Sequence, residues 1–307
     1  MIHLALLAAL LTAQAPPRRA MAVTFDDLPV AGRTVSLPAR ESVTTGLLRA
    51  ITRHRVPAIG FVNEGKLDVP GERDAREALL AAWLDAGLEL GNHTYSHGGL
   101  TATPLDLFER DVIKGEIVTR RLLARRGQVP RFFRHPMTQT GPTRDVRDAF
   151  ERFLGDHGYR TAPFTIEDSD YVFALVYDQA VTTGDTALAG RVRRAYLAHQ
   201  DEMVDWFESL ARETFQRDIP QILLIHVNRL NAAAMGDVLG RLRARGYGFV
   251  TLDRALADVA YRTLDGYVGR NGPSWLHRWR IGLGMPDRLR DEPDPPAWVL
   301  EAFRRLQ

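Results

Sequence analysis

The chain has 307 residues, 45% hydrophobic and 25% charged, a balance that supports a buried core without staples and excludes a disordered, collagen-like or multispanning chain. Its 40 basic residues nearly cancel 38 acidic ones, and a net charge of +2 leaves no nucleic-acid footprint. With no cysteine, disulfides, thiolate nucleophiles and Cys-ligated zinc are excluded, so histidine and carboxylate are the remaining metal ligands.

The apolar run Leu4–Leu11 has signal-peptide length and is too short to span a bilayer, and Ala13-Gln14-Ala15 follows at cleavage spacing. Residues 1–15 therefore predict export to the periplasm or the outside, with no stable membrane span after cleavage, and 16–21 read as a linker. The segment before the run holds His3 but no Lys or Arg, so a buried first element competes with the export signal. From Ala22 onward, short apolar runs alternate with amphipathic stretches, the pattern of βα units. Seven runs predict strands: Ala22–Phe25, Ala58–Val62, Leu88–Leu90, Arg131–Phe133, Arg160–Phe164, Ile222–Ile225 and Phe249–Leu252.

Thr103 and Pro104 signal a helix start, with helical spacing to about Arg126 before Gly127. Further helices are expected over Thr143–His157 and Asn231–Arg245, each ending before a glycine. The stretch Tyr171–Arg217 is too long for one connection and reads as a helical insertion in two parts, Val172–Ala180 and Ala187–Phe215. Residues 22–265 thus predict one α/β domain, a distorted or incomplete (β/α) barrel of about seven parallel strands. The aperiodic tail 266–307 is expected to pack on it.

In parallel barrels, chemistry collects at the C-terminal strand ends. There the sequence places Asp26 and Asp27, then His93 and His97, then Arg134, Asp170 and His226. Two imidazoles four apart can share a face on one helical turn, and with a carboxylate from another strand they complete a three-ligand site suited to zinc. A lone His-x-x-x-His pair equally fits an exposed helix face. A zincin is dismissed because Thr94 stands where its glutamate belongs, and an aspartyl phosphotransferase is disfavoured by Pro29 two beyond Asp27. Adjacent aspartates on a strand point to opposite sides, so one could bind metal while the other faces its water; a loop-capping pair is the plainer reading. His226 also fits a core histidine.

Five ordered motifs resemble the polysaccharide deacetylases of the NodB homology domain, carbohydrate esterase family four: Thr24-Phe25-Asp26-Asp27, His93-Thr94-Tyr95-Ser96-His97, Arg134-His135-Pro136, Glu167-Asp168-Ser169-Asp170-Tyr171 and Leu223-Leu224-Ile225-His226. The resemblance implies that Asp27, His93 and His97 hold one divalent metal ion, most often Zn2+, that Asp26 is the catalytic base and that His226 is the acid. It implies that Arg134 positions the base, that Asp170 orients the acid, and that a backbone N–H near Met137 helps hold the oxyanion. Pro136, Met137 and Tyr171 are the expected substrate contacts. The implied partner is an acetylated carbohydrate, N- or O-acetylated. The chain departs from the family at His135 and Met137, and at Glu167 and Tyr171 where Asp and Trp are common. Competing expectations are hydrolysis of a non-acetyl linear or cyclic amide on the same fold, and a catalytically silent carbohydrate-binding protein.

Overall fold

The computed structural model describes residues 19–32 and 36–307; the export-signal expectation and residues 16–18 of the expected linker lie outside them. The sheet is built from β1 (Arg19–Leu28), β2 (Ile59–Val62), β3 (Glu89–Asn92), β4 (Phe132–Phe133), β5 (Arg160–Thr161), β6 (Ile166–Glu167), β7 (Gln221–His226) and β8 (Tyr247–Phe249). All pairings are parallel, in the order β5-β4-β3-β2-β1-β7-β6, with β8 on the first residues of β1. Because crossovers cover both faces of such a sheet, its central strands are buried along their length and mostly apolar: Met21–Phe25 and Gln221–Ile225 are buried throughout, with Thr24 and Gln221 as the polar residues among them.

Between these strands lie α1 (Leu37–Arg53), α2 (Arg73–Asp85), α3 (Leu105–Lys114), α4 (Ile117–Ala124), α5 (Arg144–Asp156), α6 (Asp170–Thr182), α7 (Thr186–Phe215) and α8 (Arg229–Ala244), and α9 (Leu252–Leu256) follows β8. The tail adds α10 (Trp275–Gly282) and α11 (Ala297–Leu306). The insertion is helical in two parts as expected, α6 and α7. No helix among the described residues is long and apolar enough to cross a membrane.

Four local expectations are corrected. β1 begins at Arg19, not Ala22, because Arg19–Met21 pair with β8, so residues 19–21 of the expected linker are strand. The last strand ends at Phe249, and Thr251 caps α9 by accepting from the Arg254 N–H. The long helix expected from Thr103 starts after Pro104 and divides at Gly115, where a Cβ would collide with the backbone of Thr94 and Tyr95; the helix breaks so that this loop can seat on it. The fifth expected strand, Arg160–Phe164, shortens to β5, and an unexpected strand β6 follows it on the opposite edge of the sheet: Phe133 pairs with Thr161, and Ile166 with Leu223. Pro163, which has no N–H to donate, lies between them. The barrel's open seam therefore runs through Ala162–Thr165.

The tail closes that seam. Trp275 N–H donates to the Phe164 carbonyl (3.0 Å) and Ser274 Oγ to the Thr165 carbonyl (2.8 Å), supplying the donors that a missing strand would have offered. The Trp275 ring meets Phe164 edge-on at 5.5 Å.

Candidate active site

Asp26 stays in the β1 ladder opposite His226, whereas Asp27 turns out of it at φ +74°, so the adjacent carboxylates are aimed apart by a break in the strand. His93 follows β3 directly. His97 is not one helical turn further on: the loop between them is irregular, with Thr94 at φ +65° and His97 at φ +62°. Hydrogen bonds hold that unfavourable backbone: Thr94 N–H donates to Asn92 Oδ1 (2.7 Å), His97 N–H to Thr94 Oγ1 (3.0 Å) and Ser96 N–H to Asp111 Oδ2 (3.0 Å). Gly65 and Gly115 flank the loop at places where any Cβ would collide with it. These glycines, Asn92 and Asp111 are the support that motif reading alone missed.

The result is one cluster. Asp27, His93 and His97 each bring a ligand atom within 4.8 Å of the others. His93 Nδ1 faces the Arg134 carbonyl at 2.7 Å, which assigns the proton to that nitrogen and leaves Nε2 as a lone-pair donor. Burial, then the neighbouring His97, lowers His93 well below the usual imidazole range, and burial lowers His97 as well, so both favour the neutral form that ligates metal. Burial alone would raise Asp27, but Lys66, whose Nζ lies 2.8 Å from Oδ1, together with the nearby imidazoles holds it far below the usual carboxylate range. One anionic oxygen and two neutral imidazoles, with ligand atoms this close, fit a divalent cation such as zinc with a position left open. Lys66 was not foreseen.

Asp26 is 2% exposed and its Oδ1 has no hydrogen-bond partner among the described residues. Burial raises its pKa to about 6 against the pull of Arg134 and His226. Arg134 Nη1 lies 3.5 Å from Asp26 Oδ2, while Nη2 donates to Thr24 Oγ1 at 2.9 Å. The guanidinium sits over the Phe61 ring at 4.9 Å and is fully buried.

His226 is held differently. Its Nδ1 lies 2.7 Å from Asp170 Oδ1, and its backbone N–H donates to Asp170 Oδ2 (2.9 Å). Asn228 and Asn231 donate to the same Oδ2 at 2.9 and 2.5 Å. Burial would lower His226, but the Asp170 charge and hydrogen bond raise its pKa to about 10. Asp170 is correspondingly lowered. Between those two values Asp26 is an anion and His226 a cation, the states required of a general base and a general acid.

These groups open onto a cavity of about 640 Å³. Met137 and Tyr171 line it, half-exposed, whereas Pro136 is buried and is not part of the wall. Met137 and Thr138 both take positive φ, +51° and +53°. The tail pins them: Arg278 Nη2 donates to the Thr138 carbonyl (2.8 Å) and Thr138 Oγ1 to the Gly272 carbonyl (2.6 Å). Glu167 also reaches the wall, and burial raises it to about 7. Phe303 of α11 completes it, 6.0 Å from Tyr171 ring to ring.

A family model described as polysaccharide deacetylase matches residues 13–161. No curated protein matches the sequence. Among solved structures, a carbohydrate esterase family 4 pseudoenzyme from Bacillus anthracis is 17% identical with a TM-score of 0.53, the match covering 79% of this chain and 66% of that one. The chain thus spans about two thirds of that relative's length. The peptidoglycan deacetylase PdaC from Bacillus subtilis is 18% identical with a TM-score of 0.52, covering 79% of this chain and 92% of that one. At such identities the likeness is one of fold. A deacetylase and a pseudoenzyme share it, so activity has to be argued from the residues in the cleft.

Proposed function

We propose, from the premise that the chain belongs to the polysaccharide deacetylase family through residues 13–161, that it hydrolyses the acetyl group of an acetylated carbohydrate in a metal-dependent reaction. The observation that carries the reading is the flanking of one three-ligand cluster by a buried aspartate on one side and a carboxylate-backed imidazole on the other. Asp27, His93 and His97 would hold a divalent ion, zinc being the best match to the donor set, and when bound it supplies Lewis-acid polarisation and acidifies water.

The chain's own groups account for the proton traffic. Asp26, kept anionic near neutrality by Arg134, takes the proton of the attacking water. His226, kept protonated by Asp170, gives its proton to the departing nitrogen or oxygen. The Met137 loop, held by Arg278 and Gly272, would offer a backbone N–H to the developing oxyanion, while Met137 and Tyr171 would supply an apolar face for a sugar ring. The apolar run Leu4–Leu11 supports export, where such polymers are met.

A catalytically silent carbohydrate binder would keep the cavity but has no need for two titrating groups poised in opposite states. The deciding measurement is acetate release from N- and O-acetylated glycans before chelation, after it and after zinc restoration. Acetate that disappears with the metal and returns with it is expected. Binding of glycan without acetate, or release of a different acid, would remove the deacetylase reading.

A further inference from the structure

Behind the acid histidine lies a buried carboxyl that the proton transfers do not use. Asp168 sits between β6 and α6, 1% exposed, and its Oδ1 has no hydrogen-bond partner among the described residues. Its other oxygen, Oδ2, lies 3.1 Å from the hydroxyl of Tyr196 on α7. Tyr196 is buried as well, and the same hydroxyl lies 2.7 Å from Oδ1 of Asn231 in the first turn of α8. Asn231 in turn reaches Asp170, the carboxylate that backs His226.

The hydrogens along this chain of contacts can be counted. Asn231 Nδ2 lies 2.5 Å from Asp170 Oδ2 and 2.8 Å from the His226 carbonyl, and both only accept, so the amide nitrogen faces them. Its Oδ1 therefore faces Tyr196 and receives a hydrogen. Tyr196 has one to give, and the shorter of its two contacts takes it. The hydroxyl oxygen is then left to accept, so the hydrogen between Tyr196 and Asp168 belongs to Asp168. The surroundings agree with this count. Burial, then the charges of Asp170 and Glu167, oppose ionisation of Asp168, while His226 is the cation that favours it. A carboxylic acid also leaves Oδ1 as a neutral carbonyl, a smaller cost than an unpaired buried anion.

We propose that Asp168 is a neutral acid at the head of a hydrogen-bond relay, Asp168 to Tyr196 to Asn231 to Asp170, through which the inserted helix α7 positions His226. The relay fixes the Asn231 amide with its nitrogen toward Asp170, and that carboxylate keeps its Oδ1 on His226 Nδ1. Without the Tyr196 hydroxyl, Asn231 Oδ1 loses its donor, and an amide turned over would set oxygen against oxygen at Asp170. Asp168, Tyr196 and Asn231 are thus positioning residues that act through Asp170. That the group they position is a catalytic acid rests on the deacetylase reading; the relay itself does not.

The test uses the zinc-loaded full chain. The His226 ring is titrated by NMR, its signals assigned by their loss in His226→Gln, and the carboxylic-acid carbonyl stretch is followed by infrared spectroscopy beside the pH profile of kcat. Asp168→Asn, whose amide N–H can replace the acid hydrogen, is expected to remove one acid band at neutral pH and to leave the His226 titration where the parent has it. Tyr196→Phe is expected to lower the His226 pKa by about one unit, to carry the alkaline limb of kcat with it and to reduce kcat about tenfold at unchanged KM. A fall of the His226 pKa in Asp168→Asn would reveal an anion at that position and overturn the proposal. So would a folded Tyr196→Phe with an unmoved titration. If Tyr196→Phe does not fold, the acid band and the Asp168→Asn titration decide alone. Absence of acetate release by the parent overturns the deacetylase reading only, because the His226 titrations still judge the relay.

Discussion

His93 and His226 lie on the same cleft, and the structure drives them to opposite charge states. His93 is buried and His226 partly so, and both have Nδ1 2.7 Å from an oxygen. For His93 that oxygen is the neutral Arg134 carbonyl, so burial prevails and the ring stays neutral; for His226 it is the Asp170 carboxylate, so the charge prevails and the ring stays protonated. One imidazole becomes a ligand and the other a proton donor. The partner of the far nitrogen, not the residue type, makes the assignment.

The most severe way to break this comparison is to remove the ligand side. His93→Ala is expected to weaken zinc binding by at least about 100-fold and to abolish turnover, read by metal content after dialysis and by acetate release. Retention of zinc at parental affinity would place the metal elsewhere. Next comes the backing of the acid: Asp170→Asn removes the charge that raises His226, so its pKa falls, the alkaline limb of the kcat profile moves to lower pH, and kcat drops by about 10²–10⁴-fold. A loss with no movement of the limb would argue for a purely structural role.

A smaller effect is expected at Arg134. Its cation lowers Asp26, so Arg134→Met raises the base's pKa and shifts the acidic limb of kcat/KM upward by about one unit. The smallest effect serves as a control away from the cleft. His199 is 2% exposed, packed on Phe173, with neither ring nitrogen hydrogen-bonded among the described residues and Glu202 Oε2 3.9 Å away. Burial lowers its pKa to about 4. A histidine whose folded pKa is depressed binds its proton more readily when unfolded, so its contribution is complete above the unfolded value of about 6.5 and declines as pH falls through 4, by about 3 kcal/mol in full. His199→Leu should flatten the fall in melting temperature over that window and leave the activity profile unchanged.

The sequence by itself determined the inventory and its order: apolar runs that had to become buried parallel strands, and polar residues placed just past them. Asp27, His93, His97 and His226 are legible because each follows its run in a short motif, and strand alternation and burial are local consequences of composition. Tertiary structure decided what local pattern cannot encode. The loop joining His93 to His97 is shaped by Gly65 and Gly115 from other elements, not by helical periodicity. That β5 and β6, four residues apart, lie on opposite sheet edges depends on where β4 and β7 stand in space. The tail, aperiodic in sequence, acquires its place only because the seam leaves carbonyls at Phe164 and Thr165 that Trp275 and Ser274 can satisfy. Protonation belongs to the same class: charge states follow from burial and from partners far away in the chain, and neither exists until the chain has folded.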